Sequence, residues 1–193
     1  GMAAGAKRET ESLSMDDSVM DSGKEKKLTA EQEIKRLSHS DVLIVHNNRM
    51  KEWMESQGYT QPMVCLEIFD YLSPSVNNNT HEPNQKPIKV IYAGALNYRK
   101  NKYLYSLNDV MSKWQFELYG KRFEEDKIKD KTLFKFKGFV PSDQLIEQVS
   151  AHFGLIWEGD SIHTCSGDLG IYQKINNPHK ASLYIRCNLP III

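Results

Sequence analysis

The sequence predicts an α/β protein built on a Rossmann-like, doubly wound parallel sheet, preceded by a remnant of a second Rossmann-like domain. Two observations carry that expectation. Short apolar, β-branched runs alternate with segments of helical spacing along most of the chain, which is the pattern of βαβ units. One stretch, 73–87, breaks the alternation with Pro74, Pro83, Pro87 and three consecutive Asn, a linker composition. The expected organisation is therefore a disordered tail at 1–28, an αβαβ segment at 29–72, a linker at 73–87 and a larger domain at 88–193.

The elements follow in order. Residues 1–28 are rich in Ser, Asp, Lys and Glu without apolar period, and cannot offset their ordering entropy. Thr29 and Gln32 form the pattern of a capping box, opening a helix with Ile34 and Leu37 on one face. Asp41 to His46 reads as a buried strand. Asn47 or Asn48 caps the next helix, which carries Met50, Trp53 and Met54 and stops at Gly58. Met63 to Phe69 is a second strand. After the linker, Ile88 to Tyr92 is a strand running into Gly94-Ala95-Leu96-Asn97, and a helix is expected over roughly 99–111. Trp114 to Tyr119 and Thr132 to Lys137 read as strands, with a charged, solvated stretch at 121–130 between them. Pro141 and Ser142 open a helix carrying Leu145, Ile146 and Val149. Phe153 to Trp157 is a buried strand, 158–172 a polar loop, Asn177-Pro178 the start of a helix to about Cys187, and Pro190 to Ile193 a last strand. That strand has no loop or covering helix after it, and two strands make a thin first sheet. Both domains are accordingly expected to be incomplete.

Composition narrows the function. Acidic and basic side chains balance at 25 each, so the chain has no electrostatic footprint for nucleic acid. Cys65, Cys165 and Cys187 are odd in number and widely spaced, which argues against a disulfide scaffold or a structural zinc site and fits a reducing, cytoplasmic setting. No run approaches the ~18 apolar residues of a membrane-spanning helix, and no signal-peptide pattern opens the chain.

Ligands of an open parallel sheet bind outside the carboxyl ends of its strands. That rule selects Gly94 to Asn97, the surroundings of Gly120, Gly138 to Pro141, and the loop 158–172 with the helix beyond it. In Asn177-Pro178-His179-Lys180, Pro stands at the first helical position. The free N–H groups there suit a phosphate, and Lys180, one turn in, adds a full charge for a diphosphate. A well-capped helix with a solvated lysine explains the same spacing equally well. Gly94 lets backbone approach a phosphate, but a plain strand-to-helix turn is the simpler account of Gly-Ala-Leu-Asn. Arg99, Lys100 and Lys102 offer cationic contacts, with solvation the simpler role for each. Glu158 and Asp160 lie on the ligand side and can meet a sugar hydroxyl or simply solvate the loop. His46 and Asn47 can face an interdomain cleft or cap the following helix. His163 and Cys165 lack a third metal ligand at sensible spacing, and no GxSxG elbow surrounds Ser166. Asp70 lacks the acidic partners of a phospho-acceptor pocket, which disfavours a flavodoxin-like signalling domain.

At the fourth loop the sequence resembles a known family. Gly170 to Ile185, containing Tyr172 and Asn177-Pro178-His179-Lys180, followed by Asn188-Leu189-Pro190-Ile191-Ile192, is similar to a signature of bacterial galactofuranosyltransferases and of the related glucosyltransferases that modify serine-rich adhesins. Asp41 to Asn47, Ile68 to Tyr71, Tyr92 to Leu96 and Lys137 to Pro141 agree with it in register. The resemblance implies a GT-B enzyme of two facing Rossmann-like domains that transfers a hexosyl group from a nucleotide sugar, usually a UDP-sugar, to a glycan or glycoprotein. It implies no metal and no cofactor, because cationic side chains and a helix N-terminus neutralise the leaving diphosphate. Carried over, Lys180 and the Asn177 helix end hold the diphosphate, with Gly94, Leu96, Asn97 and Arg99 lining its side of the cleft. Gly138, Phe139 and Val140 contact the base. No catalytic residue is assigned. The alternative is a non-catalytic nucleotide-sugar-binding or partner subunit. Peripheral membrane association at the inner face and a homo-oligomeric state are compatible with either reading.

Overall fold

The computed structural model describes residues 29–78, 85–109 and 113–193, so the expectation for 1–28 falls outside the described residues. Its first helix, α1 (Ala30–Leu37), begins at the capping box. Gln32 N–H donates to Thr29 Oγ1 at 3.3 Å and Thr29 N–H donates to Gln32 Oε1 at 3.0 Å. Two three-residue strands follow, β1 (Leu43–Val45) and β2 (Met63–Cys65), paired in parallel around α2 (Asn48–Ser56). The sequence implied longer, buried strands. Instead Leu43, Val45 and Met50 are buried together, while Ile44 and Val64, opposite each other in register, stay exposed. Apolar composition signalled the strands but overstated their cover.

The larger sheet holds five parallel strands in the order β5-β4-β3-β6-β7: β3 (Ile88–Ala93), β4 (Trp114–Tyr119), β5 (Phe134–Gly138), β6 (Phe153–Leu155) and β7 (Ile191–Ile192). This is the doubly wound arrangement. The order reverses direction between β3 and β6, and such a switch point opens a crevice at the strands' carboxyl ends. Alternation along β3 builds a core on each face. Val90 and Tyr92 pack with Leu104, Phe116 and Leu118 on one side. Ile91 and Ala93 pack with Leu145, Ile146 and Tyr184 on the other.

Among the described residues, four α-helices serve this sheet. α3 (Lys102–Tyr105) and a 3-10 turn at Leu107–Asp109 replace most of the helix expected over 99–111, whose last two residues lie outside the described set. Tyr103, Leu104 and Tyr105 are buried in succession, which a one-sided helix does not allow. α4 (Ser142–Gln148) follows Pro141 as expected. α5 (Gly167–Gln173) begins within the stretch 158–172 read as a polar loop and ends one residue past it, and α6 (His179–Arg186) carries Lys180. Pro178 is the cap of α6 rather than its first helical residue.

The described part of the 73–87 stretch is fastened to the larger domain. Ser73 Oγ donates to Asp143 at 2.6 Å, Ser75 Oγ donates to Glu147 at 2.7 Å, and Asn77 Nδ2 donates to the Ile146 and Val149 carbonyls on α4. Arg186 of α6 donates to the Ser73 carbonyl at 2.8 Å. A linker composition here marks a strap laid along two helices.

Candidate functional site

The crevice between β3 and β6 contains Lys180. α6 is seated over β3 by Tyr184, whose hydroxyl accepts the Ala93 N–H at 2.9 Å. Gly154 on β6 makes that seat possible, because a Cβ there would lie 2.4 Å from the Tyr184 ring. With α6 so placed, Lys180 Nζ donates to the Tyr92 hydroxyl at 2.9 Å, stands 4.3 Å from that ring's centre and pairs with Glu158 just beyond β6. Gly94 is the floor of this arrangement: a Cβ at its position would lie 2.9 Å from Lys180 Cε.

The chain of bonds extends further. Tyr92 hydroxyl donates to Asn101 Oδ1 at 3.0 Å, and Asn101 Nδ2 donates to the Ala95 carbonyl at 2.7 Å. Tyr92 and Asn101 are both 1% exposed, so the path from the ammonium to the loop after β3 is rigid. Burial alone would lower the Lys180 pKa, but Tyr92 and Glu158 outweigh it and hold the group above its usual value. Lys180 is thus a fixed cation. Burial likewise raises the Tyr92 phenol against the opposing pull of Lys180, so it stays protonated and able to donate to Asn101.

The expected site residues lie at different distances from this lysine. Gly94 meets Lys180, as above. Leu96 does not line the cleft: it is fully buried in the core, its N–H donates to Lys121 and its carbonyl accepts the Tyr105 hydroxyl. Asn97 is half-buried and its carbonyl closes the turn to Lys100 and Asn101. Arg99 is exposed in that turn, and no contact among the described residues joins it to Lys180. Lys102 pairs instead with Asp160 at 2.9 Å. Gly138, Phe139 and Val140 end β5, two strands from β3, or about 10 Å at ordinary strand spacing. Phe139 is 61% exposed beneath the Lys121 ammonium, 4.7 Å from its ring centre, a free aromatic face beside a cation.

Asn177 is the main correction. It does not present itself to a diphosphate. Its backbone N–H donates to His46 Nδ1 at 3.1 Å, its Nδ2 donates to the carbonyls of His46 and Glu67, and its Oδ1 accepts Asn47 Nδ2 at 2.7 Å. Asn177 thereby clasps the ends of β1 and β2 to the start of α6. Asn47 takes the capping role, since its Oδ1 accepts the Met50 N–H at the start of α2, while its Nδ2 is committed to Asn177. Phe69 stacks on His179 with ring centres 3.8 Å apart, and His46 meets Phe69 edge-on at 4.9 Å. The carboxyl ends of both sheets therefore face one another across this clasp. Tyr92 and Tyr184 escaped the sequence reading because strand-end and helix aromatics read as core, and Asn101 because a polar residue within the helix expected over 99–111 carries no signal of burial.

The clasp carries a pH signature. Burial and, secondarily, His179 lower the His46 pKa below its ordinary 6.5. A group depressed in the folded state is neutral there while the unfolded chain already binds a proton, so stability falls as pH drops below 6.5. Urea midpoints measured from pH 8 to pH 5 are expected to decline in that window, and the His46→Asn variant is expected to lose this part of the slope. An identical slope in the variant rules His46 out as its source.

The family model described as the Glucosyltransferase 3-like C-terminal domain matches residues 90–193, and its N-terminal companion matches residues 15–68. The chain is 37% identical over 158 residues to the beta-1,6-galactofuranosyltransferase WbbI of Escherichia coli (strain K12), covering 82% of this chain and 45% of that protein. The chain thus spans under half of that relative's length. Its fold is similar to that of the pneumococcal O-GlcNAc transferase GtfA, solved in complex with UDP and GlcNAc, with a TM-score of 0.54 at 16% identity over 82% of this chain and 31% of that one.

Proposed function

The chain belongs to the Glucosyltransferase 3-like family of GT-B glycosyltransferases, and on that premise we propose that it binds a nucleotide sugar, a UDP-sugar in the first instance, and takes part in transferring its hexosyl group to a glycan or glycoprotein acceptor. One observation carries the reading: a fixed, partly shielded lysine ammonium stands at the switch point of a parallel sheet, over a glycine that leaves it room. A pyrophosphate is the ligand that such a cation, next to the first-turn amides of α6, is built to neutralise. Phe139 and the backbone at Gly138 and Val140 lie where the base of the same nucleotide would rest. The acceptor then approaches from the β1–β2 side of the clasp. We place the protein in the cytoplasm, with its cysteines as free thiols, and propose that it works without metal or cofactor.

A second reading, a nucleotide-sugar-binding subunit without transfer of its own, is favoured by the two-stranded acceptor-side sheet with its exposed Ile44 and Val64. Incubation with UDP-glucose, UDP-galactofuranose or UDP-N-acetylglucosamine separates the two. Release of UDP, accelerated by an acceptor glycan, is expected of the enzyme. Saturable UDP binding with no release from any donor supports the subunit, and absence of UDP binding overturns both.

A further inference from the structure

We infer that Glu158 is a specificity-determining residue of the donor site: in the empty site its carboxylate holds the place on Lys180 that the donor's diphosphate takes. Donor binding is then an exchange of one anion for another. The inference deepens the donor reading and rests on it.

The geometry supports exchange rather than simple addition. A lysine ammonium has three N–H donors. One is committed to Tyr92 and one to Glu158. The Tyr92 bond is permanent, because Tyr92 is 1% exposed near the carboxyl end of β3 and its hydroxyl is tied to Asn101. Glu158 is the partner able to leave, since it follows β6 in a connecting segment and its side chain retains 23% exposure against 16% for Lys180. Their pairing shields the ammonium at the crevice where a ligand of this sheet must lie.

Charge then selects the ligand. A single carboxylate is displaced readily by a pyrophosphate, whose charge is larger and whose oxygens reach both the ammonium and the helix amides. Uncharged sugars and nucleosides offer no such return. Once displaced, the carboxylate is an acceptor without donors, suited to the hydroxyls of the sugar that follows the diphosphate. Glu158 thereby excludes weakly charged ligands and hands the sugar a hydrogen-bond acceptor.

Calorimetry on the full chain tests this with UDP and uridine as probes, comparing the wild type with Glu158→Gln and Glu158→Asp after thermal unfolding has confirmed that each variant folds. Glu158→Gln is expected to bind UDP about tenfold more tightly, equivalent to removing ~1.4 kcal/mol of competition. Glu158→Asp, which keeps the charge but shortens its reach, is expected to tighten UDP by a smaller factor, and it carries the test if the Gln variant does not fold. Uridine is expected to bind all forms equally. Wild-type binding of UDP with equal or weaker binding by the variants overturns the role of Glu158 and leaves the donor reading standing. The same holds if uridine tightens as much as UDP. Failure of every form to bind UDP overturns both.

Discussion

Lys180→Ala is expected to lower UDP affinity about ten- to a hundredfold, the equivalent of the roughly 1.5–3 kcal/mol carried by a hydrogen bond to a charged group. Two losses add. The charge-assisted bond to the diphosphate disappears, and Glu158, no longer neutralised, is left to repel the incoming phosphates. The double variant Lys180→Ala with Glu158→Gln is therefore expected to recover part of the affinity. Lys180→Arg is not a rescue. The Lys180 stem already passes where a Cβ on Gly94 would be only 2.9 Å away, and a guanidinium is broader than an ammonium. Calorimetry with UDP measures all three. Wild-type affinity in Lys180→Ala would remove the residue from the donor site.

That this lysine could be singled out from sequence has a local cause. Its helix opens at a proline, which marks the helix N-terminus in the sequence itself, and Lys180 stands within the first turn beyond it. Its partners were not legible in the same way. Glu158 is 22 residues away and Tyr92 is 88, and they meet because β6 pairs with β3 rather than with β5. Nothing in local spacing encodes that pairing. Asn177 was misread for a related reason. A residue before Pro at a helix start suits a cap, but its Oδ1 accepts Asn47 Nδ2, 130 residues distant, while its Nδ2 donates to the His46 and Glu67 carbonyls. A long-range donor took the oxygen that a local cap needs.

The fold divides along the same line. β3 and β4 were readable nearly to the residue because both are interior six-residue strands rich in buried apolar and aromatic side chains. α5 was missed because Gly167 and Gly170 lower helix propensity, and the stretch before Leu169 is mostly polar. Gly170 is needed there for packing, since a Cβ would lie 2.6 Å from the Cys165 carbonyl carbon. Tertiary approach overrode propensity at that point, as it did at 102–109, where three successive buried residues accompany a four-residue helix and a 3-10 turn in place of one longer helix.

The second large effect is expected at Gly120, which touches no ligand. A Cβ on Gly120 would fall 1.8 Å from the Gly94 carbonyl oxygen and 3.0 Å from its carbon, so the clash is with backbone and no rotamer relieves it. The backbone cannot retreat cheaply. Gly94 N–H donates to Tyr119 at 2.9 Å, Gly120 N–H donates to Gly138 at 2.9 Å, and Leu96 N–H donates to Lys121 at 3.1 Å, so the loops after β3, β4 and β5 are bound to one another. Gly120→Ala must break some of these bonds, and a cost of about 3 kcal/mol or more is expected in urea unfolding. Because Gly94 moves with the loop, Lys180 loses its floor, and UDP affinity is expected to fall in whatever fraction remains folded. Gly138→Ala separates collision from backbone conformation. Its φ of 74° is left-handed, but a Cβ there meets nothing within 4 Å, so only about 1–2 kcal/mol is expected. If Gly120→Ala proved no more costly than Gly138→Ala, the close approach of the β3 and β4 loops, and with it the rigid seat beneath Lys180, would have to be abandoned.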